Sequence, residues 1–212
     1  MAEDFTLALF DVDSTLTNEE AIDLLAERAG HGAEVSAITE RAMKGELDFD
    51  QALIQRVALL EGLPLSTVTE VAESMTFTAG AFECFTELKR RGFVVGMVSG
   101  GFIELISQLF KNWEFDFVRA NSLSHRDGAL TGEINGKIIN RAGKAEALRA
   151  FATAQSVDLS KTIAIGDGAN DIDMLHIAGL GVAFRGKEAL REYADVVIKE
   201  NMLELIDYLD RR

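Results

Sequence analysis

Asp11 and Asp13 stand two residues apart in FDVDSTL, where the apolar run FTLALF gives way to polar residues. Alternate side chains of an extended chain share a side, so both carboxylates can face one crevice at a strand end. Carboxylates that close repel one another unless a cation or a proton intervenes. Alone, Asp-x-Asp would more often cap a turn. A second acidic group changes the reading. GDGANDID, Gly166 to Asp173, directly follows the apolar segment TIAI and puts Asp167 at an equivalent strand end, with Asp171 and Asp173 just beyond. If the two strands are neighbours, Asp11 and Asp167 can share one hard cation such as magnesium, with backbone carbonyl and water oxygens completing an octahedron. Asp173 reads equally well as ordinary negative charge at a helix N-terminus.

Two further segments suit an anion. FVVGMV ends in Ser99-Gly100-Gly101 before a helical run. Glycines there let backbone amides approach a phosphate, a serine hydroxyl adds a donor, and a helix N-terminus adds positive potential. Lys144, in NRAGKAEAL, begins another helix. A phosphoryl group among carboxylates needs a cation that stays charged, and Lys144 can supply it.

These residues must be carried by a sheet. Short apolar runs at 5–10, 93–98, 115–120, 162–166, 180–184 and 194–198 read as buried strands. Between most of them lie helical spacings at 81–91, 102–110, 144–154, 171–178 and 202–209. Such alternation predicts an α/β fold with a doubly wound parallel sheet and helices on both faces. Two stretches break it. Residues 18–74 hold only helical runs, punctuated by Gly30, Gly45 and Gly62, with Pro64 opening the last. They read as a helical insertion after the first strand. In NSLSHRDGALTGEI, Asp127-Gly128 between short alternating runs predicts a β-hairpin.

The chain of 212 residues, 48% of them hydrophobic, is large enough for one packed domain with an insertion. Its 21 Lys and Arg against 35 Asp and Glu leave a net charge of -14, which repels nucleic acids and anionic membrane surfaces. An anionic substrate must therefore be held by a local arrangement. The start, MAEDFTLALFD, carries acids where a secretory signal needs bases, and no apolar run is long enough to span a membrane. With Cys84 as the single cysteine, read as a buried apolar residue, a cytoplasmic location is expected. His31, His125 and His176 fit no metal-ligand spacing.

Taken in order, DVDSTL, VSGG, the lysine of AGKAEAL and GDGANDIDML resemble the four motifs of the haloacid dehalogenase superfamily of phosphatases. They run from Asp11 to Leu175, so the likeness covers most of the chain. It implies a Rossmann-like core at 1–16 and 75–212, with 17–74 as a small helical cap. DVDSTLTNEEAIDLLAE further resembles the phosphoserine phosphatase branch. That resemblance implies hydrolysis of O-phosphoserine, the last step of serine biosynthesis, with Asp11 as nucleophile and Asp13 as acid/base. It implies magnesium held by Asp11, the Asp13 carbonyl and Asp167, supported by Asp171. Ser99, Gly100, Lys144 and Asn170 match the family's phosphate contacts. Glu20 and Arg56 match its grip on the substrate's ammonium and carboxylate, and Met43 and Phe49 its apolar lid.

An amino-acid phosphate does require one acid and one base beyond its phosphate cradle, which Glu20 and Arg56 could be. Two rivals stay open: a sister phosphatase or phosphotransferase acting on phosphothreonine or phosphohomoserine, and a non-catalytic phosphoacceptor of the receiver type. The partner expected is a small molecule, bound by a monomer or homodimer.

Overall fold

The computed structural model describes residues 5–186 and 188–211; the acidic start at 1–4 lies outside them. Among the described residues seven strands form one sheet: β1 (Leu7–Phe10), β2 (Val94–Phe102), β3 (Phe117–Arg126), β4 (Ala129–Asn135), β5 (Thr162–Gly166), β6 (Leu180–Phe184) and β7 (Val196–Ile198). Their order is β4-β3-β2-β1-β5-β6-β7, parallel except for β4. The chain winds outward from β1 first to one side and then to the other. The crevice at that reversal, beyond the carboxyl ends of the strands, is where such sheets bind ligands.

Each central strand is buried on both faces, and its side chains alternate between two cores. Ala8 and Phe10 of β1, with Ile163 and Ile165 of β5, meet α5 (Ala81–Arg90) and α10 (Glu204–Asp210) through Cys84, Leu88 and Leu205. Leu7, Leu9 and Ala164 point the other way, against α7 (Arg141–Ala154) and α8 (Ile172–Ile177) through Leu148, Phe151 and Met174. Full burial of a ring such as Phe151, which stacks on Phe117, contributes roughly 1.5–3 kcal/mol. Cys84 is indeed buried, and desolvation pushes its thiol up to about 12, so it stays protonated and inert.

The insertion after β1 is helical: α1 (Ala21–Ala29), α2 (Gly32–Met43), α3 (Phe49–Ala58) and α4 (Leu65–Ser74). Asp48 caps α3 by accepting from the Gln51 amide, and Gly30 ends α1 in the left-handed region. Thr17 pairs with Phe77 where the insertion leaves and rejoins the core. The expected hairpin is also present, its tip formed by Asp127 at φ 51° and Gly128 at φ 83°. Positive φ at both central residues is the turn that twists with its strands.

Hairpin and helices meet. Leu65 donates to the Gly128 carbonyl, Gly62 to that of Leu130, and Leu130 to that of Leu63. Leu123 and Leu130, with Phe102 and Leu105 at the start of α6 (Ile103–Leu109), belong to the same apolar cluster as Leu25, Leu53 and Val71. The helical layer is thus held firmly at its α4 edge, while α2 buries only Val35. Among the described residues no helix is long and apolar enough to cross a membrane.

Candidate active site

After β1 the backbone turns at once. The amides of Thr15, Leu16 and Thr17 all donate to the Val12 carbonyl, and Ser14 takes a φ of 58°. This turn aims Asp11 and Asp13 into the crevice. Because Phe10 lies opposite Ile165 in the parallel β1/β5 pair, Asp11 and Asp167 emerge side by side. Carboxylate oxygens of Asp11, Asp167 and Asp171, all three buried, lie within 4.8 Å of one another.

Lys144, in the first turn of α7, reaches Asp11 Oδ1 at 2.5 Å and Asp171 Oδ1 at 2.7 Å. Three buried carboxylates with one ammonium among them carry excess negative charge. Burial first, opposed by Lys144 and reinforced by Asp171 and Asp167, pushes Asp11 well above the ordinary carboxylate range. Burial works against the lysine's charge, but Asp11 and Asp171 outweigh it and hold Lys144 above its usual value. A hard divalent cation relieves such a cluster, and buried oxygen donors are the ligands it prefers.

Asp171 also organises its own loop. Its Oδ2 accepts from the amides of Asp167 at 3.1 Å and Gly168 at 3.0 Å. The turn needs glycine at 166, because a Cβ there would lie 2.3 Å from the Asp171 carboxyl carbon. With that carboxylate pinned by three donors, Gly166→Ala is expected to cost about 1–3 kcal/mol by overpacking. Thermal unfolding should then fall by roughly 2–4 °C per kcal/mol. An unchanged midpoint would show that the loop gives way freely.

Asp13 is held between the Ala21 amide at 2.9 Å and the Ser99 hydroxyl at 3.0 Å. Burial and then the charge of Glu20 raise its pKa to about 6, against opposing hydrogen bonds. It therefore exchanges a proton near neutral pH, as an acid/base must. Ser99 in turn accepts from the Gly101 amide at 2.7 Å, and a Cβ on Gly101 would sit 2.4 Å from Asp13 Oδ2. The Ser-Gly-Gly segment lies within β2 itself, where the pairing with β3 shifts register between Val98 and Phe102.

The residues expected from sequence converge on one cavity of about 720 Å³. Asp11, Asp13, Gly100, Asp167 and Asn170 line its core side, and Glu20, Met43, Phe49 and Arg56 its helical side. Ser99, Lys144 and Asp171 are fully buried just behind that wall. Met43 sits at the rim, 79% exposed. Glu20 accepts from the Ser14 hydroxyl at 2.7 Å, and Arg56 donates to the Ala52 carbonyl and to Thr39 Oγ1. Asp173 faces away and pairs with Arg141 on the surface.

Sequence reasoning missed several contributors. Thr15 donates to Asp11 Oδ2 at 3.2 Å and orients it. Asn121, buried on β3, donates to the Gly100 carbonyl at 2.8 Å and accepts from the Ile139 amide at 2.7 Å, joining the glycine loop to the approach to α7. Asp23 lines the cavity near Arg56; it lies three residues from Glu20, so helical spacing would have flagged it.

Comparison with known proteins agrees with this geometry. A family model described as haloacid dehalogenase-like hydrolase matches residues 8–176. Phosphoserine phosphatase SerB2 of Mycobacterium tuberculosis is 50% identical over 203 residues, 96% of this chain and 50% of that protein, so the chain spans about half its length. Phosphoserine phosphatase of Streptococcus thermophilus is 49% identical over 211 residues, 99% of this chain and 98% of that one. A solved structure described as a phospho-aspartyl intermediate analogue of phosphoserine phosphatase superposes with a TM-score of 0.90 at 43% identity, covering 97% and 99% of the two chains. A doubly wound sheet with acids at its switch point, matched along nearly its whole length, makes this chain a member of the haloacid dehalogenase-like hydrolase family.

Proposed function

We propose that the chain hydrolyses O-phosphoserine to serine and phosphate through an aspartyl phosphate on Asp11. The observation that carries this reading is one cavity with Asp11 and Asp13 on its floor and Glu20 and Arg56 on its roof. An amino-acid phosphate has a phosphate at one end and an ammonium and a carboxylate at the other, and the cavity offers a complement to each.

In this reading residues 1–16 and 75–212 are the catalytic core and 17–74 the cap. Asp11 Oδ attacks phosphorus in line with the serine oxygen, whose bond to phosphorus breaks as Asp13 gives it a proton. Asp13, now ionised, takes a proton from water, and the resulting hydroxide displaces Asp11 and releases phosphate. Lys144, Ser99, Gly100 and Asn170 face the phosphoryl oxygens, while Met43 and Phe49 close over the substrate to exclude water. Asp11, the Asp13 carbonyl and Asp167 would hold magnesium, supported by Asp171; when bound, the ion offsets charge on the phosphoryl oxygens. The buried, unreactive thiol of Cys84 fits a cytoplasmic enzyme.

The direct test is phosphate release from O-phospho-L-serine, O-phosphothreonine, phosphohomoserine and p-nitrophenyl phosphate, with magnesium or with a chelator. O-Phosphoserine should be preferred and the chelator should stop turnover. Arg56→Ala should raise KM for O-phosphoserine roughly tenfold to hundredfold, the usual loss of a hydrogen bond to a charged group. Turnover of p-nitrophenyl phosphate, which lacks the carboxylate, should be much less affected. Equal losses on both esters would remove Arg56 from substrate recognition; a different preferred ester would replace the substrate.

A further inference from the structure

A further polar link joins the helical layer to the core, away from its edge on the hairpin. Asn140 is the N-cap of α7, and its Oδ1 accepts from the Gly143 amide at 3.1 Å. Its Nδ2 donates to both carboxylate oxygens of Asp50, at 3.0 and 3.2 Å, across 90 residues of sequence. Asp50 lies in the first turn of α3, the helix that carries Phe49 and Arg56. Lys144 lies one turn into the helix that Asn140 starts, and its amide donates to the Asn140 carbonyl.

One side chain therefore serves both helices, and its chemistry is specific. Aspartate, serine or threonine would cap α7 nearly as well. Aspartate has no donor for Asp50, and a serine or threonine hydroxyl has a single proton on the same atom that accepts, whereas the amide keeps its acceptor for Gly143 and its donor group for the two Asp50 oxygens on separate atoms. Its orientation is settled by these partners, since a flipped amide would oppose donor to donor and oxygen to carboxylate. The link also lies close to the phosphate loop: a Cβ on Gly100 would be 3.2 Å from the Phe49 ring. Fixing the start of α3 against the start of α7 thus sets Phe49 over Gly100 and Arg56 over the cavity while Lys144 is held below.

We propose that Asp50 and Asn140 are positioning residues, a latch that couples the seating of the cap helix α3 to the helix bearing Lys144. The kinetic part of this proposal rests on the phosphatase reading above; the structural part does not.

The latch is tested by exchanging its two ends. Asn140→Asp keeps the helix cap but sets carboxylate against carboxylate, and should raise KM for O-phosphoserine by about tenfold, the lower end for losing a charged hydrogen bond at a half-buried site. Adding Asp50→Asn restores one donor and one carboxylate, and should bring KM back to within about threefold of the unaltered chain. Amide hydrogen exchange over 49–58 supplies a readout independent of turnover: faster in Asn140→Asp, restored in the exchanged pair. If Asn140→Asp does not fold, Asp50→Ala, which leaves Asn140 on Gly143, should give the same rise and the same faster exchange.

Exchange rates and KM that are unmoved by Asn140→Asp, or a double variant no better than the single one, overturn the latch. Exchange that is faster in Asn140→Asp and restored in the exchanged pair, in a chain that releases no phosphate from any ester, would instead uphold the latch and overturn the proposed function.

Discussion

Asp11→Asn should abolish turnover. A neutral amide has no charged oxygen with which to attack phosphorus, and the change removes a carboxylate from the proposed metal ligands at the same time. Loss of a nucleophile in other hydrolases lowers kcat by factors on the order of 10⁶. The fold should survive, because the amide oxygen can take the Lys144 Nζ bond now made to Asp11 Oδ1, while the amide NH2 replaces Oδ2 and can donate to the Thr15 hydroxyl, which turns to accept. The measurement is phosphate release from O-phospho-L-serine at saturating magnesium. It is paired with acid quenching of the unaltered chain, which should carry a phosphoryl group on Asp11 that hydroxylamine removes. A variant that keeps activity within tenfold of the unaltered chain would exclude covalent catalysis through this residue.

Lys144→Met should affect both stability and rate. The ammonium is fully buried between Asp11 and Asp171. Methionine fills similar space but leaves the carboxylates facing one another. Breaking a buried pair by removing one partner costs about 3–5 kcal/mol. At this chain length each kcal/mol lowers the unfolding midpoint by roughly 2–4 °C. The full loss is expected in chelator. Adding magnesium should stabilise the variant more than the unaltered chain, since the ion would be the remaining cation among Asp11, Asp167 and Asp171. Activity should fall on the order of 10²–10³-fold even with magnesium, the range for losing one preorganised donor to a developing charge. Equal midpoints for the two proteins in chelator would mean that the aspartates take up protons when the lysine is gone, and that Lys144 contributes little to the fold.

Both expectations concern groups far apart in sequence that come within bonding distance, as Lys144 and Asp11 do across 133 residues. What the sequence by itself determined was which segments form strands and, for β1, β5, β6 and β7, where they end; β2 runs on past 98 to Phe102 and β3 past 120 to Arg126. Apolar runs with abrupt polar ends are local patterns, so TIAIG and LGVAF became β5 and β6 with their limits unchanged. Asp127-Gly128 announced its hairpin for an equally local reason, the positive φ that both residues tolerate. Asp11, Asp13 and Asp167 were legible because they stand at strand ends, and the order of the motifs added the family.

Tertiary structure alone decided who bonds to whom. Ser99 was legible as a phosphate donor, but not that the fold also brings its hydroxyl to Asp13, to which it donates and whose neighbours set a pKa of about 6. Thr15, Asn121 and the Asp50–Asn140 pair had no sequence signature. A single hydroxyl or amide follows no period, and its role depends on a partner reached only when the sheet has closed. The anchoring of the helical layer was hidden for the same reason: Gly62, Leu63 and Leu65 meet a hairpin more than 60 residues later through backbone groups that every residue carries, so side-chain identity could not have revealed it.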